Sequence, residues 1–241
     1  MDILSITLTG LFVGVIGTGL GGLLAVFYKH PSKIFLSMAI AISGGLMLSI
    51  VCFDLLPEAF DISGLYYSLL GVVIGVIIVM IMEQVMPQQS GGQDTQYLKT
   101  GLLMGAAIAI HNLPEGLAIG ASFMASQNVG LGMALVIGLH DFPEGLSMAA
   151  PLMAGGMRGL DVLYYTILSG IPTGVGAFIG AYMGEISPRL IALSMGIAAG
   201  CMLYMTCGEM FPMANDLHKG RVTTVGILIG IIAGIIITEM L

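Results

Sequence analysis

Long apolar runs, each closed by a short polar interval, follow one another from end to end of this chain. Eight of them reach membrane-spanning length: about residues 3–28, 34–57, 64–86, 98–124, 129–153, 161–184, 189–213 and 222–240. At ~20 residues per crossing each suffices for a transmembrane helix, some with tilt. Turn chemistry separates them at Lys29-His30-Pro31, Pro87 to Gln96, Ser126-Gln127-Asn128 and Asn215 to Lys219. Between residues 153 and 161 only Gly155-Gly156 punctuates the pattern, so that boundary is the weakest. The first run, Ile3 to about Phe27, is too long for the apolar core of a signal peptide and lacks a basic leader, so it is read as a span. The pattern predicts an all-α integral membrane protein of eight transmembrane helices, residues 1–241 forming one domain.

Composition agrees. Charged residues make up 9% of the chain, against about 25% in soluble domains. With mean hydropathy at +1.02, no stretch is left for a separate soluble domain. The 36 glycines are roughly twice the ordinary share, and small residues let membrane helices approach closely. The formal charge of −7 says little about partners, because several acids fall inside or at the ends of helices. No nucleic-acid partner is expected; the surrounding partner is the lipid bilayer. Cys52, Cys201 and Cys207 show no CxxC spacing and read as small buried thiols.

The basic residues set the orientation. With eight spans, the odd-numbered loops lie opposite the termini and hold Lys29, Lys33, Lys99, Arg158, Lys219 and Arg221; the termini's side holds only Arg189. Six against one is a strong positive-inside bias, which places both termini outside the cell membrane.

The chain also repeats itself. Gly45 to Ala59 (GLMLSIVCFDLLPEA) aligns without gaps to Gly200 to Ala214 (GCMLYMTCGEMFPMA), and Asp54 meets Glu209. A weaker match pairs Leu8, Gly10, Gly14 and Val15 with Leu168, Gly170, Gly174 and Val175. The matched spans run in opposite directions, so spans one to three and six to eight are expected to be inverted repeats around a central antiparallel pair, spans four and five. Transporters are built this way, with substrate held near the midplane.

The central pair carries the chemistry. His111-Asn112-Leu113-Pro114-Glu115-Gly116 and His140-Asp141-Phe142-Pro143-Glu144-Gly145 lie 29 residues apart in otherwise apolar stretches. Ionisable groups are expensive in hydrocarbon and mark pathways or bound ions. On a helix, His111 and Glu115 share a face, as do His140 and Glu144, while Asn112 and Asp141 sit about 100° round. Pro114 and Pro143 cannot donate a hydrogen bond, and they free the carbonyls of Ile110 and Leu139. Two imidazoles, three carboxylates and an amide suit a borderline divalent ion such as Zn²⁺ or Fe²⁺, with Mn²⁺ admissible. The absence of cysteine in the cluster fits release rather than storage. One such histidine alone would more often be a helix–helix hydrogen-bonding residue. Two complete blocks on adjacent helices are specific.

The whole pattern resembles the ZIP (Zrt-/Irt-like protein) family of divalent metal transporters, closest to its compact prokaryotic type. The resemblance implies a transporter rather than an enzyme, with no cofactor and the metal ion as substrate, moved toward the cytoplasm by alternating access. It implies a binuclear site in which His111, Asn112 and Glu115 match the ligands of helix four and His140, Asp141 and Glu144 those of helix five. Glu115 and Glu144 would bridge the ions. Met47 falls where some relatives supply a thioether, and helices one, four, five and six would slide against the rest. Relatives are often dimers, so a homodimer is admissible. Two features depart from the family: Thr173-Gly174 stands where many relatives have Glu-Pro on helix six, and the interval Pro87 to Tyr97 lacks the histidines often found there.

Outside the blocks, Asp54, Glu58 and Asp61 could funnel cations at the outer end of span two, and Glu209 and Asp216 could form an exit; solvated helix ends are the alternative. Glu83, near the inner end of span three, reads as a snorkelling or hydrogen-bonded acid. The rival function is an intramembrane metal-dependent hydrolase, which needs an HExxH-type helix or a spare general base beside an open coordination position. Neither is visible in the sequence.

Overall fold

The computed structural model describes residues 1–27, 32–85, 92–183 and 187–240, without the side chains of Gln93, Ala125, Val129, Val136, His140, Met183, Glu239 and Met240. The expected turn at Lys29-His30-Pro31 and most of the interval from Pro87 lie outside the described residues. Every regular element among them is helical: α1 (Ile3–Phe27), α2 (Lys33–Ile50), α3 (Leu56–Val85), α4 (Gln93–Ala125), α5 (Gln127–Ala154), α6 (Gly159–Met183), α7 (Pro188–Met205), α8 (Phe211–Leu217) and α9 (Arg221–Met240). Two π-helical turns, Val51–Leu55 and Thr206–Met210, join α2 to α3 and α7 to α8. Six helical stretches are long and apolar enough to cross a membrane. One of them, Lys33–Val85, has 53 residues, more than twice what a crossing needs. It breaks at Ser63 (φ −150°) and Gly64 (φ +74°), where the gap expected between spans two and three ends and span three begins. The protein is a multi-pass membrane protein.

The weakest sequence boundary is firmly built. Gly156 takes φ +82°, its N–H bonds to Met153 O, and Met157 N–H bonds to Leu152 O at 3.0 Å. That is a Schellman ending with glycine in the left-handed position. Elsewhere the expected loops shrink: Ser126 is the one non-helical residue between α4 and α5, and α8 continues to Leu217.

The helices sort into two groups. In one, α1 and α4 each lie along both α5 and α6; in the other, α3 lies along α7 and α2 along α9. The crossings recur at a constant spacing of 155 residues. A Cβ at Gly75 would overlap the Ile197 carbonyl, and one at Gly230 the Ile42 carbonyl. Gly200 meets Val72 O as Gly45 meets Ile227 O. Ser68 Oγ donates to Ala59 O, and Thr223 Oγ1 to Ala214 O. The π turns keep the same register.

Helices α1 and α6 keep it too, which corrects the weaker match. Gly145 packs on Thr18 O and Gly116 on Thr173 O, while Gly21 packs on Phe142 O and Gly176 on Leu113 O. The pairing of Gly10 with Gly170 is therefore five residues out of the packed register. Glycines recur at nearly every turn of α1, so a sequence match can lock onto a neighbouring one.

The cysteines also need correction. Cys201 is buried, but Cys52 and Cys207 are exposed; all three are free. Both exposed thiols sit in the π turns, where the extra residue rotates the following positions off the buried face.

Candidate metal site

α4 and α5 run beside each other, and their polar blocks sit between two apolar clusters. Toward the start of α4 and the end of α5 the cluster includes Leu103, Met104, Met148 and Leu152. On the other side it is Ile6, Ile119, Phe123, Ala134, Ile137, Ala177 and Ala181. Both helices continue through their prolines. The missing N–H groups leave Ile110 and Leu139 without their usual intrahelical donors.

The i, i+4 spacing of His111 and Glu115 works as expected. His111 Nε2 lies 3.0 Å from Glu115 Oε1 one turn along α4, and 3.3 Å from Glu144 Oε1 across on α5. All three side chains are buried. Asp141 is fully buried within electrostatic reach of Glu115, Glu144 and His111. Three acids and one imidazole thus share a space with no lysine or arginine near the shared atoms among the described residues. Buried ionisable groups inside a membrane-spanning bundle are costly and mark pathways or bound ions.

Asn112 is turned by α6: its Nδ2 donates to Ser169 O at 2.9 Å. Its Oδ1 stays buried without a hydrogen-bond partner among the described residues, as do both Asp141 oxygens and Thr173 Oγ1. Asp141 faces Gly17 of α1 and the Thr173 side chain faces Gly14, three residues earlier on the same helix. A patch of oxygen acceptors therefore lies where α1, α5 and α6 meet. The side chain of His140 lies outside the described residues. Among those described, no three His, Cys, Asp or Glu side chains are already gathered as a metal-ligand set; His111 and the two glutamates instead hold one another.

Met47 of α2 is buried beside the polar blocks. With His111 and Glu144 it lines a cavity of about 10 Å³, together with Met104, Met202 and Met205. Met202 escaped the sequence reading, although the signal was present: Gly-Leu-Met-Leu of α2 aligns with Gly-Cys-Met-Leu of α7, Met47 on Met202.

A second cavity, about 140 Å³, lies farther along α4 and α7–α8 and is lined by Gln96, Thr100, Glu209, Met213 and Asp216 among others. Thr100 Oγ1 donates to Glu209 Oε2 at 3.0 Å. Both acids expected at an exit thus border one space. Tyr204 donates to Glu83 at 2.6 Å, the hydrogen-bonded acid expected there. Glu58 and Asp61 are exposed.

These features define a helical membrane transporter with an acid- and imidazole-lined centre. Residues 87–238 match the family model described as ZIP Zinc transporter. The chain is 30% identical over 239 residues to "Zinc transporter ZupT" of Chlorobium phaeovibrioides (strain DSM 265 / 1930), covering 89% of this chain and 90% of that protein. It is 30% identical to the protein of the same name from Stenotrophomonas maltophilia (strain R551-3), over 89% of this chain and 88% of the relative. The "Zinc transporter ZupT" of Streptococcus mutans serotype c is 29% identical, with 90% of each chain covered. The chain belongs to the ZIP family, whose members are transporters of divalent metal ions and not enzymes.

Proposed function

We propose that this protein carries Zn²⁺, with Fe²⁺ and Mn²⁺ as further candidates, across the cell membrane toward the cytoplasm by alternating access. The carrying observation is the buried meeting of His111 Nε2 with Glu115 and Glu144, with Met47 at the same cavity. An arriving ion replaces the contacts of the imidazole to the carboxylates with bonds to itself. Asn112 Oδ1, Asp141 and His140 complete a second position, and Glu115 and Glu144 bridge the two. Three carboxylates against one or two divalent ions bring the site close to neutrality. The names of the relatives support zinc as the substrate.

Eight spans follow if Lys33–Val85 crosses twice and α5 crosses beside α4. The constant 155-residue register supports an inverted repeat of α1–α3 with α6–α9. The two packing groups support motion of α1, α4, α5 and α6 against the rest. The bias of basic residues supports external termini, although Lys29 lies outside the described residues. A hydrolase needs a base that is not itself a ligand, and family membership does not favour it.

The test is Glu115→Ala and Glu144→Ala in vesicles loaded with a zinc-sensitive dye. Each removes a carboxylate that would bridge two cations and leaves surplus positive charge in low dielectric, at a cost of about 3–5 kcal/mol. Zinc uptake should be nearly lost while the protein still folds. Undiminished uptake by either variant sinks the proposal.

A further inference from the structure

The cavity beside His111 holds more sulfur than this site uses. Four of its eight lining residues are methionine, brought in from α2, α4 and α7. The rest of the lining is His111, Glu144, Ala107 and Ile108. Met47 comes from α2 and Met202 from α7, related by the same 155-residue register that fixes the crossings of those helices. They are 2% and 3% exposed, so both thioethers are withdrawn from lipid and water.

We propose that Met202 is a second thioether ligand of the transported cation, paired with Met47, and that this pair gives the site a selectivity for soft d¹⁰ cations such as Cd²⁺. The inference rests on the reading of His111 and Glu144 as the cation site.

The chemistry follows from the lining. About 10 Å³ admits roughly one water, but a water wants two to four polar partners, and this cavity offers polar groups only from His111 and Glu144. A soft cation bound to that imidazole and carboxylate gains from the thioethers, because sulfur donors favour soft ions over hard ones. Thioethers are neutral, so they raise softness without adding charge. A hard ion such as Mn²⁺ gains little from them and depends on the oxygen donors. Met205, one turn beyond Met202 on α7, and Met104 on α4 extend the same lining toward the Thr100–Glu209 cavity.

The full-length protein in detergent allows the test, using Cd²⁺ and Mn²⁺ alone as probes. Leu conserves the volume of Met, so Met202→Leu and Met47→Leu keep the packing. Met202→Leu should lower the ratio of Cd²⁺ to Mn²⁺ affinity by about tenfold, and X-ray absorption at the cadmium edge should show one sulfur neighbour fewer. The double variant should lose sulfur scattering altogether. An unchanged ratio with unchanged sulfur scattering in Met202→Leu overturns the proposal and leaves Met202 as packing. His111→Ala separates the two readings: loss of both ions upholds the underlying site, whereas unaltered binding of both overturns it whatever Met202 does.

Discussion

At the scale of single residues, the site divides by chemistry along α4, α5 and α6. His111 and Met47 bring nitrogen and sulfur to the carboxylates of Glu115 and Glu144, while among the described residues Asn112, Asp141 and Thr173 bring oxygen. The second patch holds Thr173, a neutral hydroxyl at the position where the resemblance led us to expect a carboxylate. Thr173 is fully buried, and its Oγ1 has no hydrogen-bond partner among the described residues. Thr173→Glu adds an anionic oxygen to that patch. An unpaired charge there is costly, so the metal-free variant should melt below the native protein. Added cation should recover the loss, since a ligand that binds only the folded state raises stability. Mn²⁺ should gain more affinity than Zn²⁺, as oxygen donors favour hard ions. Melting curves with and without each ion, together with direct binding, check this. If neither the Mn²⁺/Zn²⁺ ratio nor the metal-dependent melting shift changes, residue 173 does not contribute to the site.

At the scale of elements, the fold is a set of helix crossings in which backbone touches backbone. Gly75 on α3 and Gly230 on α9 occupy matching crossings, each against a carbonyl oxygen of the facing helix. Alanine at either must push the helices apart, because a backbone atom cannot rotate away. Gly75→Ala and Gly230→Ala should each destabilise by about 1–3 kcal/mol, and by similar amounts. Gly132→Ala is the control: nothing lies within 4 Å of a Cβ there. It should stabilise by up to about 1 kcal/mol through helix propensity. Thermal unfolding in one detergent compares all three, and a Gly75 variant as stable as the Gly132 variant contradicts the crossing. Much of this was legible beforehand. Apolar runs gave the helices, and the i, i+4 spacing put His111 beside Glu115 before any packing was known. The π turns were not legible, since one inserted residue leaves hydropathy unchanged yet turns Cys52 and Cys207 outward. Nor was the register of α1 with α6, because repeated glycines offer several near-equal alignments and packing chooses among them. The role of Met202 was hidden differently: thioethers carry no charge and look like core until the cavity shows what they face.

At the scale of the whole molecule, the two sides of the site are unequal. On the side where α4 ends and α5 begins, Ile119, Phe123, Ala134 and Ile137 pack with Ile6, Ala177 and Ala181 into a continuous apolar seal. On the other side the sulfur-lined cavity is followed, one turn on from Met104 and Met205, by the space at Thr100 and Glu209. With the orientation proposed above, the apolar cluster lies toward the outside and the larger cavity toward the cytoplasm. In a carrier that alternates, such asymmetry belongs to one of two interconverting states, and repeat symmetry supplies the other by exchanging the roles of the halves. Single cysteines can read it in a background where Cys52, Cys201 and Cys207 are replaced by serine or alanine. Gln96→Cys, at an exposed position bordering the larger cavity of about 140 Å³, should react with a membrane-impermeant thiol reagent applied from the cytoplasmic side. Ile137→Cys, at a position 5% exposed, should resist the same reagent applied from outside. Inside-out and right-side-out vesicles separate the two directions. The reverse pattern, with Ile137→Cys labelled from outside and Gln96→Cys protected, would mean that the resting molecule opens outward and that the apolar cluster is not its closed gate.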